Sequence, residues 1–221
     1  MKYRYKHYFL IFSLFWCLCL SALSGYAQEL EQNQSLDQKV ENIIRNQRGK
    51  WRHENVPQAD AKVLYNLIIA NNYKRALEIG TSTGHSAIWM AWALSKTGGK
   101  LITIEINRNR YNMALENFKK AGLSDYIEAR LADAHELVPQ LEGPFDFVFI
   151  DADKNWYKNY LKFLLPKLEV GGCFTAHNVS NLRYMRGVKE FLDYVRSLPF
   201  METTIDQTSW TGISISYKKS D

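Results

Sequence analysis

From Arg75 onward the chain alternates short apolar runs with longer segments of helical spacing. Strands are predicted at 75–79 (RALEI), 100–105 (KLITIE), 126–131, 145–151 (FDFVFID), 170–176, 200–205 and 211–217. Helices are predicted between them, over 85–95, 108–121, 134–141, 155–166 and 184–197. Upstream, Leu36, Val40, Ile43 and Ile44 repeat at helical spacing, and so does the stretch 59–70 after Pro57. The run FVFI has no polar alternation, as a strand buried on both faces of a parallel sheet requires. The pattern predicts an α/β fold: a doubly wound, mostly parallel seven-stranded sheet with helices on both faces and right-handed crossovers. Only Asp206 to Trp210 joins the last two strands, too short a link for a helical crossover, so the last strand is predicted antiparallel. One domain over 35–221 accommodates all of these elements.

The beginning of the chain breaks the pattern. Lys2, Arg4 and Lys6 precede an apolar run from Phe9 to Leu23, and small residues follow at Gly25 and Ala27. This is the layout of a secretory signal peptide over 1–27, cleaved after Ala27, with a flexible polar leader over 28–34. It predicts an exported protein, periplasmic or secreted, with an uncleaved membrane anchor as the alternative. The apolar run is shorter than the ~20 residues of a comfortable bilayer span. Cleavage changes the charge picture. Three of the 28 basic residues and none of the 23 acidic ones lie in 1–27, so the formal charge falls from +5 to +2. Nucleic acid is thereby disfavoured as a partner. Of the three cysteines only Cys173 remains, and a lone thiol forms no internal disulfide.

In a doubly wound sheet, ligands sit beyond the carboxyl ends of the strands, so the polar residues there carry the chemistry. LEIGTSTGHS (77–86) follows the first strand with Gly80 and Gly84 spaced Gly-x-x-x-Gly, which is not the Gly-x-Gly-x-x-Gly of dinucleotide binders. Glu105 ends the second strand, where an acid accepts hydrogen bonds from ribose hydroxyls. Asp133 and Ala134 are placed to border an adenine ring, although Asp133 alone reads equally well as a helix N-cap. Asp151, Asp153 and Lys154 follow the very apolar fourth strand, and His177 and Asn178 end the fifth. Oxygen donors with one imidazole suit a hard or borderline divalent cation. An ordinary ion-pair network is the plainer reading of the same residues.

Taken together, VPQADAKVL, LEIGTSTGHS, LITIEIN, FIDADKNWY and the AHNV element resemble the metal-dependent catechol and caffeoyl-CoA O-methyltransferases, in the same order along the chain. The resemblance covers 55–217. It implies the Rossmann-like fold of class I methyltransferases and S-adenosylmethionine as methyl donor. Val56 would touch the cofactor's methionine end, Glu78 and Ser86 would bind its amino acid part, and Gly80 would let it lie close. Glu105 would hold the ribose, Asp133 and Ala134 would lie at the adenine, and Asp153 would contact the cofactor nearby. Asp151 and Asn178 match the metal ligands and His177 takes the third ligand position, with magnesium as first choice and manganese or zinc as alternatives. Lys154 matches the catalytic base, and Lys154 and Asn178 would meet a small diol substrate. One position departs: the family usually has aspartate where this chain has His177.

The implied reaction is methyl transfer to one hydroxyl of a catechol-like diol that a divalent metal orients, by a monomer or homodimer with no lasting membrane partner. Trp51, Trp156 and Tyr157 are expected to wall in a flat ring. Two alternatives compete: an exported binding protein for S-adenosylmethionine with weak or no catalysis, and a nicotinamide-dependent oxidoreductase. The latter lacks its phosphate fingerprint here.

Overall fold

Phe147 and Phe149 turn to one side of the strand Phe145–Ile150 while Val148 and Ile150 turn to the other, and all four are fully buried. The period of two thus feeds two separate cores, one on each face of a central sheet. The computed structural model describes residues 32, 35–46, 55–180 and 185–221.

The strands are β1 (Arg75–Ile79), β2 (Lys100–Glu105), β3 (Ile127–Leu131), β4 (Phe145–Ile150), β5 (Leu168–His177), β6 (Met201–Asp206) and β7 (Ile213–Lys218). Their order in the sheet is β3-β2-β1-β4-β5-β7-β6. β1 to β5 are mutually parallel, and β7 runs antiparallel to both β5 and β6. The strand order reverses between β1 and β4, which opens a crevice at their carboxyl ends.

The helices are α1 (35–46), α2 (Gln58–Asn71), α3 (His85–Thr97), α4 (Arg108–Ala121), α5 (Ala134–Leu137), α6 (Tyr157–Leu164) and α7 (Arg186–Ser197). α1 to α4 bury one core against Phe147, Phe149 and Cys173, and α5 to α7 bury the other against Val148, Ile150 and Phe174. α4 starts where Asn107 accepts the amides of Asn109 and Arg110, both at 3.0 Å. That satisfies two of the four donors a helix start leaves open.

The helix predicted over 134–141 ends early. α5 stops at Leu137 and a 3-10 turn, Val138–Gln140, replaces the rest, because Pro139 has no N–H to continue the ladder. The helix predicted over 155–166 opens as a 3-10 turn, Lys154–Trp156, and ends in another that contains Pro166. The predicted signal peptide lies outside the described residues, and of 28–34 only residue 32 is described, in helical conformation. Among the described residues no helix is long and apolar enough to cross a membrane.

Candidate active site

The crevice is a cleft of about 660 Å³. Gly80, Glu105, Asp133, Ala134 and Asp153 line it, and so do Asp151, Lys154, His177 and Asn178. Nine of the twelve residues to which the resemblance gives a cofactor, metal, substrate or catalytic role therefore meet in one place. Val56, Glu78 and Ser86 lie outside its lining.

Glu105 is 5% exposed, and each of its oxygens takes one backbone amide, from Ser82 at 2.7 Å and from Asn107 at 2.8 Å. A carboxylate has about four acceptor sites, so two remain for a ligand's hydroxyls. Glu78 sits behind this wall, fully buried. Its oxygens accept from Ser86 at 2.5 Å and from Thr103 at 2.6 Å. Burial, with Asp151 and Glu105 nearby, pushes its carboxyl up to about 7 despite those hydroxyls. Close ligand approach is not the only reason for Gly80. At φ +103°, a Cβ there would lie 2.4 Å from the carbonyl oxygen of Asp151. Gly84 is required by Phe118, whose ring a Cβ would meet at 2.5 Å.

Val56 is anchored by its carbonyl, 2.9 Å from Nδ1 of the buried His85. The indole N–H of Trp89 donates to His85 Nε2 at 3.2 Å, so Nε2 is the acceptor and Nδ1 carries the proton. Burial lowers this imidazole to about 4, against the hydrogen bond to Val56 that would raise it.

At the other end of the cleft, Lys154 Nζ donates to Asp151 Oδ1 at 2.7 Å. His177 Nδ1 faces Asp151 Oδ2 at 3.1 Å, and His177 Nε2 faces Asp60 Oδ2 at 2.7 Å. Ser209 at 2.8 Å and Thr211 at 2.5 Å donate to the same Asp60 oxygen. Burial alone would lower His177; the bonds to Asp151 and Asp60 outweigh it and push the ring up to about 9. Burial works against the charge of both carboxyls, yet their hydrogen bonds, His177's first, hold Asp151 and Asp60 below the usual carboxylate range. Asn178, at φ 61°, takes the left-handed conformation that asparagine tolerates well, and it turns the chain away at the tip of β5.

A divalent ion does not fit this donor set. Both His177 nitrogens face carboxylate oxygens, so neither is turned to an open coordination position. Asp151 has one oxygen on His177 and the other on Lys154. Among the described residues no three His, Cys, Asp or Glu side chains are grouped to share an ion. The expected ligands thus come together, but as a hydrogen-bonded chain rather than an open coordination site.

The expected aromatic wall differs as well. Trp51 lies outside the described residues. Tyr157 is fully buried in the core, and its hydroxyl donates to the His177 carbonyl at 3.3 Å. Trp156 packs on His135 with ring centroids 4.3 Å apart. Among the described residues the aromatic rings lining the cleft are those of Tyr160, His135, His177 and Trp210, the last 84% exposed. Asp60 was not singled out from the sequence. Its signal was its place on the buried stripe Asp60, Leu64, Ile68 of α2, where an acid has no business without a partner.

Residues 26–215 match the model of a family described as O-methyltransferase. A catechol O-methyltransferase of Niastella koreensis is 42% identical over 110 residues, covering 48% of this chain and 49% of that protein. A caffeoyl-CoA O-methyltransferase of Eucalyptus globulus is 37% identical over 133 residues, covering 58% and 54%. The chain thus spans about half the length of the curated relatives it matches. Among solved structures, an O-methyltransferase from Bacillus cereus in complex with SAH superposes with a TM-score of 0.70 at 27% identity, covering 82% of this chain and 91% of that one. The strand order, the cleft at the reversal point and a family match over most of the chain agree, and the chain belongs to the O-methyltransferase family.

Proposed function

We propose that the protein transfers the methyl group of S-adenosylmethionine to one hydroxyl of a catechol-like diol. The observation that carries this reading is Lys154. Its amine is fixed by Asp151 in the same cleft as Gly80 and Glu105, the residues suited to the cofactor. The relatives named for catechol and caffeoyl-CoA favour an aromatic hydroxyl as acceptor.

Transfer from a sulfonium is an in-line displacement with a neutral thioether leaving, so no acid is needed at the leaving group. The acceptor's O–H proton passes to the lone pair of Lys154 Nζ, which acts as the neutral amine and becomes the ammonium. The acceptor oxygen forms its bond to the methyl carbon, and the carbon–sulfur pair returns to sulfur. A phenol titrates near ~10, judged from tyrosine, so a positioned base is worth having at neutral pH. Alignment supplies the rest: oxygen and methyl held about 3 Å apart can contribute roughly 7–11 kcal/mol in favourable cases. Glu105 holds the ribose. Asp133, Ala134 and Asp153 border the adenosine, and Glu78 and Ser86 brace the turn at the amino acid end. Asn178 borders the acceptor. The metal implied by the family resemblance is given no step, because the donor set does not accommodate it.

In the same reading the expected signal peptide over 1–27 would carry this reaction outside the cytoplasm, and N-terminal sequencing of the exported protein should begin after Ala27. The reaction is tested by incubating the protein with S-adenosylmethionine and catechol. A monomethyl ether and S-adenosylhomocysteine are expected in equal amounts. Tight cofactor binding with no ether from any aromatic diol would instead make the protein a binding module.

A further inference from the structure

His177 is held from the side away from the cleft. Asp60, on α2 and 117 residues earlier, does not line the cleft and is fully buried. Three donors converge on its Oδ2: His177 Nε2, the Ser209 hydroxyl and the Thr211 hydroxyl. Ser209 and Thr211 belong to the connection between β6 and β7, so this cradle is built by two distant parts of the chain, whatever occupies the cleft. On its cleft side the ring turns Nδ1 to Asp151.

Nδ1 faces Asp151 at 3.1 Å and Nε2 faces Asp60 at 2.7 Å, so the ring bridges the two acids. It sits 2% exposed between them. A metal ion at Asp151 would have to displace the His177 ring from one carboxylate oxygen and Lys154 from the other. The ring already supplies what an ion would give Asp151, a fixed partner on one oxygen. It leaves the second Asp151 oxygen to orient Lys154.

We propose that the Asp60–His177 pair stands in place of the divalent ion, so that methyl transfer here runs without a metal. His177 is then a positioning residue that acts through Asp151 on Lys154. The inference rests on the methyltransferase reading for its catalytic part, but its structural part is tested independently.

The test uses the full mature chain stripped with a chelator. Calorimetric titration with Mn²⁺, Mg²⁺ or Zn²⁺ should show no saturable binding. Methylation of catechol should be the same within about twofold in chelator and in added metal. His177→Asp removes the bridging ring and places a third carboxylate beside Asp151 and Asp60. This variant is expected to bind Mn²⁺ and to lose activity in chelator by about tenfold or more, the usual scale for disturbing a metal's surroundings. Stoichiometric Mn²⁺ or Zn²⁺ binding by the unaltered protein, abolished by Asp151→Asn, would overturn the proposal. So would chelator-sensitive activity that added metal restores. If His177→Asp does not fold, the two measurements on the unaltered protein still decide. If no acceptor is methylated under any condition, the reaction assignment fails, while the metal titrations continue to read the proposal on their own.

Discussion

The amide of Ser82 donates to the carboxylate of Glu105 at 2.7 Å and ties the turn after β1 to the tip of β2. Ser82 sits at φ 50°, a left-handed conformation that costs a serine something and is offset by this bond. Glu105 therefore shapes the turn after β1 as well as lining the cleft. Glu105→Ala should weaken S-adenosylmethionine binding by about 1.5–3 kcal/mol, as loss of hydrogen bonds to a charged group typically does. Calorimetry of cofactor binding checks it; an unchanged affinity would remove Glu105 from the ribose site.

Gly80→Ala forces a Cβ to within 2.4 Å of the Asp151 carbonyl at a backbone angle alanine avoids. Neither atom can yield, because both belong to the sheet's inner tips. A loss of at least ~2 kcal/mol is expected, seen as a fall of about 4 °C or more in Tm for a chain of this size. A wild-type melting curve would show that the turn relaxes freely.

Lys154→Ala should lower kcat by roughly 10²–10⁴ and leave cofactor affinity close to that of the parent, since a base acts only on the acceptor's proton. Equal losses in cofactor affinity and in kcat would mean that the residue braces the cleft instead.

His85 offers a pH prediction with a definite sign. Its folded value of about 4 lies below the ordinary 6.5, so the folded state resists protonation. Its stabilising contribution is complete above about 6.5 and declines as pH falls toward 4. Across that window the stability difference between the parent and His85→Gln should shrink by up to about 3 kcal/mol. Denaturant unfolding at a series of pH values measures it, and a difference that stays constant would show that another group titrates.

Much of this was legible because the relevant signals are local. The strand FVFI, the link from Asp206 to Trp210 and the polar residues at the strand tips each declare themselves within a few positions, and a doubly wound, mostly parallel sheet with an antiparallel last strand follows from them. The differences came where a local pattern admits several outcomes. Pro139 was visible, yet α5 was extended through it. Tyr157 was expected at the ligand, but helix rotation in α6 turns it into the core beside Phe191. His177 was assigned to a metal from its place at a strand tip. Which partner each nitrogen takes depends on Asp60, and no spacing rule links residues 117 positions apart. The stripe of α2 did carry a warning, an acid among leucine and isoleucine.

Thr211 lies just before β7, and its hydroxyl reaches Asp60 near the start of α2. The segment that closes the sheet's edge thereby clasps the helix that precedes its first strand. The corner around His177 is consequently completed only when chain-distant pieces are both seated. Cleaving the peptide within the 207–212 bend should abolish the proposed methyl transfer while leaving the β1–β4 framework standing.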